Sequence, residues 1–439
     1  MTKRRYRFIV VPACTDLNRG DQALVWESAN LLSDAFGPAT EIDIVDYGNT
    51  PEERARQSEQ TKAAGYSVIK NIVENPKRTV SKNQKHLTLA SYLKVALTAL
   101  MDFSRQLILV VFPYCFTAKV TLRHKDQIDS FKALRDADGC VVKGGGFVHT
   151  YGQLQDPYYL WFNLYYVILA LRLRKKVIFF PNSFGPIKGT VNRLILKLVL
   201  NRCSLVYTRE KVSQKCLEDI GCKNILPNID LAYYCEALKN PTFPGEIQNS
   251  GKPKIGVTVR PYRFPESEDP QRSYADYVRA IAEFCDSQLE FEFYFIVQVQ
   301  GPSAHEDDRI AISDVINLSG RSDLQVIDGN YDYRDLIAAY SKMDFVVGTR
   351  FHSVIFSQIS KVPCLVVAYG GNKGQGIMSE LGLSNFVIDI NEVSSEELCV
   401  RFDDLRAKNS EIIDKLDIFF DQIPKSRQRI VTDLKKVFH

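Results

Sequence analysis

The feature that most constrains this chain is a repeated change of period. Short apolar runs such as "RYRFIVVPAC", "EIDIVDYG", "DGCVVKGGG" and "KVIFFPNSFG" alternate with helically spaced segments such as "QALVWESANLLSDAF", "KDQIDSFKALRDA" and "TVNRLILKLVLNRC". Buried strands alternating with helices predict a parallel sheet wound on both faces. The pattern stops once, at "EALKNPTFPGEIQNSGKPK", where Pro, Gly, Asn and Ser dominate. It then restarts with "KIGVTVRPYRF" and continues through "FEFYFIVQVQ", "DFVVGTR", "VPCLVVAY" and "NFVIDI", ending in helical text from about residue 394. A chain of 439 residues is long for one core. The expectation is an α/β protein of two Rossmann-like, doubly wound domains, residues 1–240 and 254–439, joined by a linker over about 236–253. Residues 50–125 read as a variable insertion in the first domain. Two such halves would face each other across a cleft lined by strand-to-helix loops, because ligands of open α/β sheets sit beyond the carboxyl ends of the strands.

Composition narrows the function classes. With 45% hydrophobic and 25% charged residues the chain is globular, and a net charge of +4 is too small to argue for nucleic acid. The ten cysteines stand singly, with no CxxC spacing, so neither a zinc knuckle nor a redox pair is indicated. Together with the absence of a secretory pattern in "MTKRRYRFIVVPAC", they predict a reducing cytoplasm. Two apolar stretches raise the question of a membrane. Residues 92–116 carry Lys94, Asp102, Arg105 and Pro113, so a buried or interfacial helix is expected there rather than a span. Residues 158–172, "YYLWFNLYYVILALR", run into the basic "LRKK". A core helix is the leading expectation for them, with a peripheral contact on the inner membrane face as the alternative.

The predicted strand ends share a chemistry. "NRGDQA" supplies Asn18 and Gly20 for a tight turn and Asp21 as a cap for the next helix. "VVKGGGFVHTYG" offers Gly144, Gly145 and Gly146, whose amides would face an anion or a sugar at close range, with His149 beside them. "PNSFGPIKG", with Ser183 and Gly185, repeats the theme, as does the glycine-rich loop at Gly371. None of these is a Walker loop or a dinucleotide fingerprint. Arg209 in "YTREKVS", Arg260 in "GVTVRPYR" and Arg350 in "VVGTRFH" each follow a predicted strand. Guanidinium groups bind carboxylate and phosphate through paired hydrogen bonds, so three of them imply a small polyanion. His352 falls at a helix start, where the dipole disfavours the charged ring and a bound phosphate favours it, a balance suited to acid–base work. No metal-ligand constellation is read, and the acidic runs "ESED" and "HEDD" read as solvated loops.

In order along the chain, "NRGDQALV", "VVKGGG", "NSFGPI", "YTREKVS", "NIDLAYY", "IGVTVRP" and "GTRFHSVIFSQISKVPCLVVAYGGNKGQGIMSELGL" resemble the motifs of the polysaccharide pyruvyl transferases. The resemblance implies a GT-B-like architecture. It implies a phosphoenolpyruvate donor whose pyruvyl group becomes a ketal on two hydroxyls of a sugar of a cell-surface polysaccharide or its lipid-linked precursor, with no cofactor. It implies that His352 serves donor binding and catalysis and that Arg209 is the arginine of the family's "vRD" motif. The sequence departs from that pattern at Glu210, at Gln22, where an acid is common, and at Phe351. A nucleotide-sugar glycosyltransferase and a non-catalytic carbohydrate-binding protein are the rival readings.

Overall fold

A computed structural model describes residues 5–12, 15–48, 50–79, 88–239, 241, 247, 251–303, 305–370 and 373–439. The chain divides into two compact units. One comprises Met1–Asp16, Ser28–Asn228 and Ile430–His439, the other Leu17–Glu27 and Ile229–Arg429.

The first unit holds strands β1 (Arg7–Val11), β2 (Glu41–Val45), β3 (Ser67–Ile69), β4 (Gly139–Val142), β5 (Gly145–Tyr151), β6 (Lys176–Lys188), β7 (Leu205–Thr208) and β8 (Ile225–Pro227). They form one parallel sheet in the order β3-β2-β1-β4-β6-β7-β8, with β5 alongside β6. Helix α1 (Arg19–Phe36) begins in the second unit and ends in the first. It is followed by α2 (Pro51–Arg56), α3 (Glu59–Ala63), α4 (Leu89–Val111), α5 (Tyr114–Thr121), α6 (Lys125–Asp136), α7 (Asp156–Arg172), α8 (Thr190–Leu200) and α9 (Lys211–Asp219).

The second unit holds β9 (Lys254–Thr258), β10 (Glu292–Ile296), β11 (Gln325–Ile327), β12 (Phe345–Gly348), β13 (Cys364–Ala368) and β14 (Val387–Asp389). These are also parallel, in the order β11-β10-β9-β12-β13-β14. Counted within the unit this is the order 3-2-1-4-5-6 of a doubly wound nucleotide-binding fold. Its helices are α10 (Pro270–Ser287), α11 (Asp308–Leu318), α12 (Tyr333–Tyr340), α13 (Phe351–Ile359), α14 (Lys373–Glu380), α15 (Ser395–Ala407) and α16 (Asn409–Phe420). The last helix, α17 (Ile423–Phe438), begins in this unit and ends in the first.

The strands are apolar on both faces because helices cover both sides of the sheet. Phe8, Ile9, Val10, Val141 and Val177 in one unit, and Ile255, Val257, Phe293, Phe295, Val346 and Leu365 in the other, have no exposed surface. Helices carry apolar residues on one stripe: in α10 the buried set is Tyr277, Val278, Ala280, Ile281, Ala282, Phe284 and Cys285, the spacing of a helix lying on a sheet. Asp332 and Asp335 form a reciprocal capping box at the start of α12.

Two details differ from the sequence expectation. The glycine-rich text after β4 is mostly strand: Gly145 and Gly146 begin β5, paired to β6 from Gly145 opposite Asn182. "PNSFGPIK" likewise belongs to β6, since its backbone pairs with β5 from Asn182 to Lys188 and with β7 at Asn182. Residues 92–116 are helical as expected, falling on α4 and the start of α5 on either side of Phe112 and Pro113. Among the described residues no helix is long and apolar enough to cross a membrane. Helix α7 lies in the core of its unit, with Leu160, Leu164, Tyr165, Tyr166, Val167, Leu169 and Ala170 buried. This is the core helix that led the expectation for residues 158–172.

Candidate active site

In the second unit the strand order reverses between β9 and β12, which are neighbours with Thr258 opposite Gly348. A crevice opens at such a reversal because the helices following the two strands leave on opposite faces. The segments leaving these strands carry Arg260 and the Arg350–His352 turn. Hydroxyl groups tie the two segments together. Thr349 N donates to Thr258 Oγ1 at 3.1 Å, Thr258 Oγ1 lies 2.8 Å from Ser353 Oγ, and Tyr277 Oη lies 3.1 Å from Thr349 Oγ1. Arg260 N donates to Tyr277 Oη at 3.3 Å. Burial of the Tyr277 phenol pushes its pKa up to about 12, so the ring serves here as a neutral strut.

Arg260 has a distinctive setting. Its guanidinium lies 4.1 Å from the centre of the Tyr369 ring and 5.7 Å from that of Tyr262. Its Nε is buried and has no hydrogen-bond partner among the described residues. A planar cation held on aromatic faces keeps its N–H edge available.

Arg350 meets a competing partner. Its Nε donates to Asp308 Oδ1 at 2.8 Å, its Nη2 to the same oxygen, and Nη2 also to the Glu306 carbonyl at 3.0 Å. Asp308 is fully buried and accepts in addition from the Gln298 and Val299 amides at 3.1 and 2.9 Å. Burial raises the Asp308 carboxyl above the ordinary carboxylate range, opposed by Arg350 and the two amides. The pair locks the loop after β10 to the turn before α13. The reading of "HEDD" as a solvated run is thereby corrected: Asp307 caps α11 through the Arg309 amide, and Asp308 points inward. Only the two preceding residues, His305 and Glu306, are exposed.

His352 sits in the first turn of α13, half-buried, edge-on to Phe351 with ring centres 5.2 Å apart. The "NRGDQA" turn packs against it. A Cβ on Gly20 would stand 2.0 Å from His352 Nδ1 and 2.3 Å from its Cγ, so glycine is required there by the imidazole itself. The turn is bound to the second unit by an Asn18–Val299 bridge and by Gln300 N donating to the Leu17 carbonyl at 2.8 Å. Arg19, buried, donates to Gln300 Oε1 at 3.0 Å, and Gln22 Oε1 accepts from Tyr333 N at 3.0 Å. The cap of α1 is Asn18 rather than Asp21: Asn18 Oδ1 accepts from the Gly20 and Asp21 amides, and its Nδ2 holds Asp21 Oδ2 at 2.8 Å. Gly371 lies outside the described residues.

The first unit brings together its own candidates. Gly145 pairs with Asn182, and Asn182 with Thr208, so Gly144–Gly146, Ser183 and Arg209 occupy adjacent strand positions. Arg209 is buried, donates from Nε to Ser183 Oγ at 2.7 Å and lies 3.5 Å from Glu210. Ser213 closes the cluster, donating to Glu210 Oε1 and accepting from Phe184 N at 2.6 Å. Gly185 has φ +96°, and a Cβ there would meet Cys216 Sγ at 2.8 Å. His149 lies edge-on to Tyr151 and tilted against Tyr159, with ring centres 5.4 and 5.6 Å away. Two polar residues in this cluster escaped sequence reasoning. Lys143 is buried at the end of β4, beside β1 where the order of this sheet reverses. Asn182, also buried, donates to the Lys143 carbonyl at 2.9 Å. Their signal was a lysine and an asparagine ending apolar runs, overshadowed by the glycines beside them.

Two doubly wound parallel sheets, each with polar residues at its order reversal, define a GT-B-like α/β protein. The model of the polysaccharide pyruvyl transferase family matches residues 18–371, and the chain belongs to that family. Solved structures share the fold at low identity. The UDP-GlcNAc 2-epimerase from Neisseria meningitidis bound to UDP-GlcNAc aligns with a TM-score of 0.56 at 11% identity, over 99% of this chain and 100% of that one. The glycotransferase of kitacinnamycin gives 0.51 at 11%, over 99% of each chain. S. aureus MnaA with UDP gives 0.50 at 11%, over 94% and 90%. Comparison with curated proteins finds no match.

Proposed function

We propose that the protein transfers the pyruvyl group of phosphoenolpyruvate to two hydroxyls of a sugar on a cell-surface polysaccharide or its lipid-linked precursor. The observation that carries this reading is Arg260. It is a guanidinium braced on Tyr369, with a buried N–H unclaimed by any described residue and no carboxylate paired to it among the described residues. It leaves the strand next to the one that leads to His352. A carboxylate or phosphate fits that donor edge.

The donor's C3 methylene takes a proton and becomes a methyl group, and C2 gains oxocarbenium character. One sugar hydroxyl adds to C2, the C2–O bond to phosphate breaks, and the second hydroxyl closes the ketal. One hydroxyl proton balances the methyl group and the other leaves with phosphate. His352 is the group assigned to move a proton, and Arg260 stabilises anionic charge. Arg350 is assigned a positioning role, since Asp308 occupies its guanidinium. Arg209, Ser183 and the Gly144–Gly146 strand start are assigned to substrate contacts in the first unit. No step calls for a metal or cofactor.

The test is thermal stabilisation by phosphoenolpyruvate, set beside UDP and a UDP-sugar. A shift with phosphoenolpyruvate that disappears in Arg260→Ala supports the reading. A shift with UDP alone replaces it with nucleotide-sugar transfer. Turnover should fall by about 10²–10⁴-fold in His352→Ala, the usual yield of a positioned acid–base group.

A further inference from the structure

Helix α4 is inside-out. Leu93, Leu97, Leu100 and Ile108 recur on one stripe, and all are exposed, at 63%, 58%, 61% and 39%. The opposite face carries Thr98, Asp102 and Gln106, and all three are buried. Asp102 is held at 2.7 Å by Arg78 and at 3.1 Å by Arg123, and Gln106 accepts from Trp161 Nε1 at 2.7 Å. The protein has used its polar contacts to dock the hydrophilic side of the helix and has turned the aliphatic side outward. The apolar surface continues onto α5 with Phe116 and Val120, at 78% and 83% exposure. An amphipathic surface helix in water normally does the reverse.

Charge indicates what covers this face. Between Thr88 and Lys125 the chain has Lys94, Arg105, Lys119, Arg123 and Lys125 against the single acid Asp102, a net +4 that equals the net charge of the whole protein. The one acid is buried and paired, while Lys94, Lys119 and Lys125 are exposed. Two copies meeting through this face would bring lysines together with no exposed acid between Thr88 and Lys125 to neutralise them. An anionic lipid surface answers both features, taking aliphatic side chains into its acyl boundary and lysines at its headgroups.

We propose that α4 and α5 form a docking face that seats this protein on membranes containing anionic lipid, lying in the interface rather than crossing it. The inference is independent of the donor chemistry, so either can fail alone.

The experiment is flotation of the purified full chain with vesicles of phosphatidylcholine alone and of phosphatidylcholine with about 30% phosphatidylglycerol. Partitioning should be about tenfold or more stronger on the anionic vesicles, given the contribution expected per surface lysine, and should weaken at high salt. Leu97→Asp/Leu100→Asp should lower it by about tenfold or more, with an unchanged melting temperature because both positions are exposed. Lys94→Glu/Lys119→Glu should reduce the preference for anionic vesicles. Failure to float on either vesicle, or binding unaltered in the double aspartate variant, overturns the proposal. So does a solution dimer that the aspartates dissociate in the absence of lipid binding, which would make the face a self-association surface.

Discussion

Gly20→Ala tests the contact on which the proposed site depends most closely. The added methyl would stand 2.0 Å from His352 Nδ1, 2.3 Å from Cγ and 2.7 Å from Cβ. Ordinary carbon contacts need about 3.5 Å, so ring and turn must separate by roughly 1.5 Å. Helix propensity alone favours the change, since alanine exceeds glycine by up to about 1 kcal/mol inside a helix. Overpacking opposes it by about 1–3 kcal/mol, and the clash should win because the nearest atoms belong to a ring hemmed by Phe351 and Phe356. A net loss of about 1–2 kcal/mol is expected, read as a lower midpoint in urea. Turnover in the proposed pyruvyl transfer should fall by about 10²-fold, the usual consequence of a 1 Å misplacement. His352→Ala removes the two nearest atoms of the clash and leaves only Cβ. Gly20→Ala made on that background should therefore cost about 1–2 kcal/mol less than on the wild type. Additive stabilities across the four proteins, or a Gly20→Ala enzyme of higher midpoint and full turnover, would refute the packing argument.

Asp308→Ala strands a buried guanidinium and should cost about 3–5 kcal/mol in denaturant stability, while Asp308→Leu combined with Arg350→Met should recover most of it. Burial pushes the Cys140 and Cys364 thiols up to about 12, so neither should react with a disulfide reagent at pH 8 until denaturant is added, as followed by mass spectrometry. Asp46 is raised above its ordinary 3.8 first by burial, against the Asn71 amide and Arg54. The folded state therefore holds that proton more tightly than the unfolded state, and stability declines as pH rises from about 3.8 through the raised value. Asp46→Asn should flatten that decline in a urea series.

The alternation of short apolar runs with helical segments was enough to foresee two parallel sheets, because a strand buried on both faces has little latitude in its residues. The places of Arg260 and His352 just beyond β9 and β12 were equally legible, since both follow such runs. Other features depend on partners distant in sequence. Gly145 and Gly146 look like a loop until β6 supplies hydrogen bonds to their strand. Asp308 looks solvated within "HEDD" until Arg350, Gln298 and Val299 claim it. Periodicity shows that α4 is amphipathic, but the inward choice of its polar side rests on Arg78 and Trp161, which no local window contains.

The Asn18–Gly20 turn has a consequence for anyone dividing the polypeptide. It belongs to the same compact unit as His352, although more than three hundred residues separate them. A recombinant fragment beginning near residue 250 would leave behind the piece that rests on the imidazole. Half-proteins prepared at the apparent linker should therefore be assayed only after a peptide spanning Leu17–Glu27 has been restored, by fusion or by addition in trans.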